Sequence, residues 1–150
     1  MTRLILIAGF CAGLAGCASS GPTGKEILTG SLQPHKARLV IYRTAIMGFA
    51  VQPNYIVDGK SVAPAQPNGF VVCDIAPGKH NASVDNPSAN INFGGGSEKA
   101  DVTLKAGETR YIRADINPGL TIGVVTLTQV TEEQGKADTQ ALYKQTASCS

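Results

Sequence analysis

The sequence predicts a mainly β protein, a single β-sandwich of about seven to eight short antiparallel strands with a short C-terminal helix. Two observations predict it. From Arg38 onward, runs rich in Val, Ile, Tyr and Thr are broken by Gly, Pro, Asn and Asp at intervals of about ten residues, the spacing of a sandwich or barrel. Within the runs apolar residues alternate, as in Ile112, Ala114 and Ile116, so one face of each strand meets a core.

The first strand is Ala37 to Arg43, apolar on both faces and therefore central in a sheet. Asn54 to Val57 runs into Asp58-Gly59, a pair that accepts the positive φ angles of a tight hairpin, and Ser61-Val62-Ala63 returns. After Pro67-Asn68-Gly69 comes Phe70 to Ile75. Ala76-Pro77-Gly78-Lys79 then has Pro and Gly where a type II turn wants them, and His80 to Val84 alternates out of it. Asn86 to Ser97, with Gly94-Gly95-Gly96, reads as a long flexible loop. Ala100 to Leu104 resumes alternation, Ala106-Gly107-Glu108 turns, and Thr109 to Ile116 follows with its second face charged. Gly123 to Val130, rich in β-branched residues, is the last strand. Thr131-Glu132-Glu133 offers a helix start, and Lys136 to Gln145 continues it despite Gly135, with only Ala137, Ala141 and Leu142 as an apolar face.

The N-terminus has a different character. Met1-Thr2-Arg3 leads into the apolar run Leu4 to Gly13, the build of an export signal and shorter than the roughly 20 residues of a membrane span. Leu14-Ala15-Gly16-Cys17 resembles the lipobox of bacterial lipoproteins. That resemblance implies a diacylglycerol on the Cys17 thiol and cleavage before it. The alternative is an ordinary secretory signal cut near Ala18. The expected organisation is a signal peptide over 1–16, a lipidated cysteine and flexible tether over 17–36, the sandwich over 37–131, and a helix and tail over 132–150. Ala18-Ser19-Ser20 contains no aspartate after Cys17, which by resemblance to Gram-negative sorting signals points to the outer membrane, facing the periplasm.

Processing leaves about 130 residues, one domain's worth. With 13 Lys+Arg against 11 Asp+Glu, dispersed along the chain, there is no electrostatic footprint for nucleic acid. Of the four cysteines, Cys73 and Cys149 remain once Cys11 and Cys17 are assigned to the leader and the lipid. Two alternatives stand for them. They pair in an oxidising compartment, or Cys73 is a buried free thiol and Cys149 lies in a loose tail.

The order of elements resembles a domain family of unknown function found in bacterial envelope lipoproteins, short β-rich domains of the PEGA-like type with a Pro-Gly turn. The resemblance is carried by Ala37-Arg38 through Tyr42-Arg43, Tyr55 to Gly59, Asn68-Gly69-Phe70, Pro77-Gly78-Lys79-His80, and Ala106-Gly107 through Tyr111-Ile112. It covers about residues 37 to 131 and implies an envelope address and a β fold, with no reaction attached.

No residue pattern specifies chemistry. His35 and His80 lack a second ligand at metal spacing, Gly94-Gly95-Gly96-Ser97 lacks the Lys and helix of a phosphate loop, and no nucleophile elbow is present. Asp58, Asp74 and Asp85 sit in or near turns, where aspartate serves local backbone bonding. Tyr42, Tyr55 and Tyr111 with Arg110 and Arg113, joined by Arg38 and Arg43, are the candidate binding surface, because Tyr and Arg are enriched at interface hot spots. Half-buried tyrosines and solvated arginines explain them equally well. The expected function is a non-catalytic, lipid-anchored envelope module without a cofactor. It would bind another envelope protein or the cell wall, and hold to the membrane through Cys17. The alternatives are a structural subunit tethering a secretion or surface assembly and, behind it, an envelope hydrolase.

Overall fold

A computed structural model describes residues 21–86, 91–120 and 122–149. In chain order the elements are α1 (Gly24–Ile27), β1 (Ala37–Arg43), β2 (Asn54–Val57), β3 (Lys60–Pro64), β4 (Gly69–Ile75), β5 (Gly78–Val84), β6 (Lys99–Leu104), β7 (Thr109–Asn117), β8 (Val124–Val130), α2 (Glu132–Thr139) and β9 (Tyr143–Lys144). They form a β-sandwich. One sheet has the order β8-β7-β1-β4-β9 and the other β3-β2-β5-β6.

The strands fall where turn chemistry ends them. Asp58 and Gly59 take φ of 50° and 79° in the β2–β3 hairpin, and Asn68 takes 56° ahead of β4, conformations that Asp, Asn and Gly tolerate. Leu39 and Ile41 of β1, Val71 and Cys73 of β4, Ile112 and Ala114 of β7, and Val125 and Leu127 of β8 face Tyr55, Val57, Ala82, Val84, Val102 and Leu104 of the other sheet. On the outer face of the larger sheet, Val40, Tyr42, Phe70 and Tyr111 form a second cluster with Leu142, against which Ile27 and Leu28 pack. The central strand β1 is thus apolar on both faces because both are covered.

Four details differ from the sequence reading. The pairing is not wholly antiparallel: β1 runs parallel to β7, and β4 parallel to β9. A strand that arrives after crossing a sheet face enters in the same direction as its neighbour, and β9 follows α2 across the outer face. The C-terminal helix spans Glu132–Thr139 rather than continuing to Gln145, and residues 143–144 are strand. Residues 21–36, expected as a free tether, include α1, whose Gly24 N–H donates to the Leu142 carbonyl at 3.0 Å. A Cβ at Gly24 would lie 2.1 Å from the Thr139 carbonyl oxygen, so that glycine permits close packing rather than flexibility. Two of the three consecutive glycines are likewise packed, since a Cβ at Gly94 would lie 2.6 Å from Asn117 Cβ, and Gly96 (φ 80°) lies against Thr126, whereas Gly95 is open.

Beyond β9 the chain closes one side of the sandwich. Gln145 N–H donates to Phe70 of β4 at 2.8 Å and Ser148 N–H to Val62 of β3 at 3.1 Å, so these residues bridge the two sheets. A disulfide joins Cys73 of β4 to Cys149.

Candidate functional site

Among the described residues, the feature with no counterpart begins at Arg43, the last residue of β1. Alternation aims its side chain into the sandwich beside Ile41, and it is fully buried. Its guanidinium meets backbone carbonyls. Nη1 donates to Val51 at 2.6 Å and Ala65 at 2.8 Å, and Nη2 to Met47 at 3.0 Å and Gly48 at 2.9 Å. Burial draws its pKa below the ordinary value, while the neighbouring Tyr55 phenol opposes that shift. Burial also pushes the Tyr55 hydroxyl strongly up. The five-donor planar fork of arginine suits this task, and Arg43 pins the β1–β2 loop from within.

That loop presents Ile46, Met47 and Phe49 outward. Gly48 and Gly123 both lie against Ile116 of β7, which brings the β7–β8 loop, with Leu120 and Ile122, alongside. Phe93 N–H donates to the Pro118 carbonyl at 3.0 Å, and Asn117 Nδ2 to the Gly95 carbonyl at 3.0 Å, so the segment carrying Ile91 and Phe93 joins them. These seven large apolar side chains range in exposure from 46% for Ile122 to 82% for Met47. None of the stretches 44–57, 91–97 and 116–131 contains Asp, Glu, Lys, Arg or His. The charges of Lys36, Asp58, Lys60, Asp74, Lys79, Lys105 and Glu108 belong to the turns and strand ends at the opposite end of the sandwich, while Asp85, bonded to Asn54, and Glu98 and Lys99 at the start of β6 lie on the apolar side.

The tyrosine and arginine surface is not brought together. Tyr42, Tyr55 and Tyr111 are buried, Tyr55 between the sheets and the other two under the helices. Tyr42 Oη donates to Asp138 of α2 at 2.6 Å. Arg110 pairs with Glu108, Arg113 with Asp115 and Arg38 with Asp74, each in its own neighbourhood. The physical reason is that β1 and β7 are inner strands of a sheet covered on both faces, which leaves their tyrosines no route to solvent. Cys17 lies outside the described residues.

His80 and Asp58 are the nearest approach to a catalytic pair, with Nδ1 2.7 Å from the carboxylate. The other ring nitrogen, Nε2, lies 2.8 Å from the Ala76 carbonyl. A carbonyl only accepts, so Nε2 carries a proton committed to the backbone and is not free to take one from a substrate. The pair secures the β2–β3 turn to β5, helped by the Asn81 N–H donating to Asp58 at 3.0 Å. Among the described residues no three His, Cys, Asp or Glu side chains are grouped to hold a metal ion.

The apolar loop end escaped the sequence reading, although its signal was present: Ile46-Met47-Gly48-Phe49 breaks strand alternation within an uncharged stretch. Residues 33–126 match the family described as "Protein of unknown function (DUF2846)". The chain belongs to the DUF2846 family. The matched DUF2846 segment holds Arg43 and all three apolar loops, whereas α1, α2, β9 and Cys149 lie outside it. The chain is similar to an uncharacterized protein of Haemophilus influenzae, 28% identical over 98 residues, which cover 65% of this chain and 54% of that protein. It therefore spans about half the length of that relative. No solved structure matches it significantly.

Proposed function

We propose that this protein is a non-catalytic, lipid-anchored module of the bacterial envelope that engages another envelope component through its apolar loop end. The observation that carries the reading is the convergence of three uncharged loops with seven exposed large apolar side chains. Large apolar side chains gathered at one end and left in water are costly and mark a contact site. The anchor rests on Leu14-Ala15-Gly16-Cys17 at the end of an apolar run. More than one acyl chain on Cys17, at about 0.8 kcal/mol per buried methylene, holds a domain to a bilayer without a spanning helix. The Cys73–Cys149 disulfide supports an oxidising compartment such as the periplasm, and Ala18-Ser19 supports outer-membrane sorting.

The test is photocrosslinking in living cells from Phe49, with Lys105 at the far end as comparison and Cys17→Ala as the unanchored control. The expected result is membrane-associated, acylated protein and capture from position 49 that exceeds capture from 105 and is lost in the control. An unacylated protein with a different mature N-terminus would remove the anchor, and equal capture from both positions would remove the site. Capture of one protein set at fixed stoichiometry would make the protein a tethering subunit of an assembly.

A further inference from the structure

We infer that the surface covered by the apolar loop end is the bilayer that holds the Cys17 lipid, so that the loops dip into its interface and set the domain's orientation. This rests on the reading of Cys17 as the anchor, and three further observations carry it.

The first is shape and composition. The side chains sit on three neighbouring loops, and the surface offers Ile, Met, Phe and Leu with no Trp, Tyr or Arg, the residues that anchor protein interfaces. The second is that four carbonyls of the β1–β2 loop already have partners inside the protein. Backbone entering a membrane must have its polar groups bonded within the protein. Arg43 takes the carbonyls of Met47, Gly48 and Val51, and Gln52 Nε2 takes that of Phe49 at 2.7 Å. In the neighbouring segment Asn92 receives the Gly94 N–H at 3.0 Å and donates to the Gly95 carbonyl at 2.8 Å. The third is position. The Pro22 carbonyl accepts from Lys144, whose strand partner Phe70 pairs with Tyr42, so the N-terminal segment enters the fold level with the last residues of β1, where the apolar loop leaves. Four peptide links separate Cys17 from Gly21 and reach at most about 14 Å. An anchored Cys17 therefore keeps the bilayer beside this end, and the end that carries Asp58, Lys79, Lys105 and Glu108 faces away.

The chain contains no tryptophan, so Phe49→Trp and Leu120→Trp each supply a single reporter. Each full-length lipidated variant is reconstituted into vesicles containing brominated phospholipid, with Lys105→Trp as the far-end control. The expected result is blue-shifted emission and strong bromine quenching at 49 and 120, solvent-like unquenched emission at 105, and loss of most of the quenching when Met47→Asp is added. Solvent-like emission at both loop positions overturns the proposal. So does a blue shift without quenching, which would place the loops against protein, a second copy included. Intact mass of the same sample reports acylation of Cys17 separately. Quenching with an unacylated chain overturns the anchor while keeping the loop contact, and acylation without quenching does the reverse.

Discussion

Replacing Cys149 with Ser opens a cross-link between positions 76 residues apart. In the chain-entropy account, closing a loop of that length restricts the unfolded chain by about 4.5 kcal/mol at 25 °C. The native state also loses something, because Ala147 and Cys149 pack on the core between the sheets and the Ser148 N–H holds the Val62 carbonyl. Without the staple these residues have only backbone bonds to keep them over the open side. For a domain of this size the entropic part alone corresponds to a fall in melting temperature of about 15 °C. Thermal unfolding by circular dichroism should therefore place Cys149→Ser and the reduced wild type together, well below the oxidised wild type. Thiol counting under denaturing conditions verifies the redox state of each sample. Equal melting temperatures for samples shown to be oxidised and reduced would refute the reasoning, because the unfolded chain would then gain no freedom from breaking the bond.

Three other perturbations test separate parts of the structure. A methyl added at Gly135 would fall 2.1 Å from Tyr111 Cγ, so Gly135→Ala should lift α2 and cost about 1–3 kcal/mol, read as a lower urea midpoint. Arg43→Met removes the donors held by four carbonyls; stability should fall by about 3 kcal/mol, and limited proteolysis should begin to cut within residues 44–53. Burial raises the Asp58 carboxyl, but the hydrogen bonds from His80 and the Asn81 N–H, with the His80 charge, outweigh it and leave the pKa lowered from 3.8. A lowered carboxyl stabilises the fold fully above the unfolded value of 3.8 and ceases to do so as pH falls through the folded value. The stability advantage of wild type over Asp58→Asn should thus hold at neutral pH and vanish in acid, and a constant difference down to full protonation would contradict the assignment.

The strands were legible because their ends are local. Asp58-Gly59, Asn68-Gly69 and Pro77-Gly78 stop strands through backbone conformations that those residues favour wherever they stand. Strand direction was not, since β7 joins β1 in parallel after a passage through the other sheet, and no window of sequence contains that path. The tyrosines were misplaced for a related reason. Tyr42 and Tyr111 owe their burial to α2, which has almost no apolar stripe and docks through Gly135 on one ring and Asp138 on the other hydroxyl. Arg43 reads as an ordinary solvated arginine at a strand end, because its four carbonyl partners are recruited from residues 47 to 65. The site itself left a trace in the sequence, three uncharged stretches, but only the fold reveals that they share one end.

The seam between the first and last described segments also decides how the domain bears load. The residues at 21–23 bond to β9, β9 pairs with β4, and the chain beyond β9 returns to β4 through the Cys73–Cys149 bond. A pull on the chain ahead of Gly21 is therefore passed first to the C-terminal segment and from there into β4 at two places, one at each end of that strand. β4 is in turn hydrogen-bonded along its whole length to β1, so the load spreads into the middle of the larger sheet. While the bonds at residues 21–23 hold, a tug from the N-terminal side meets the larger sheet at its β9 edge before it reaches the strand that carries the Arg43 loop.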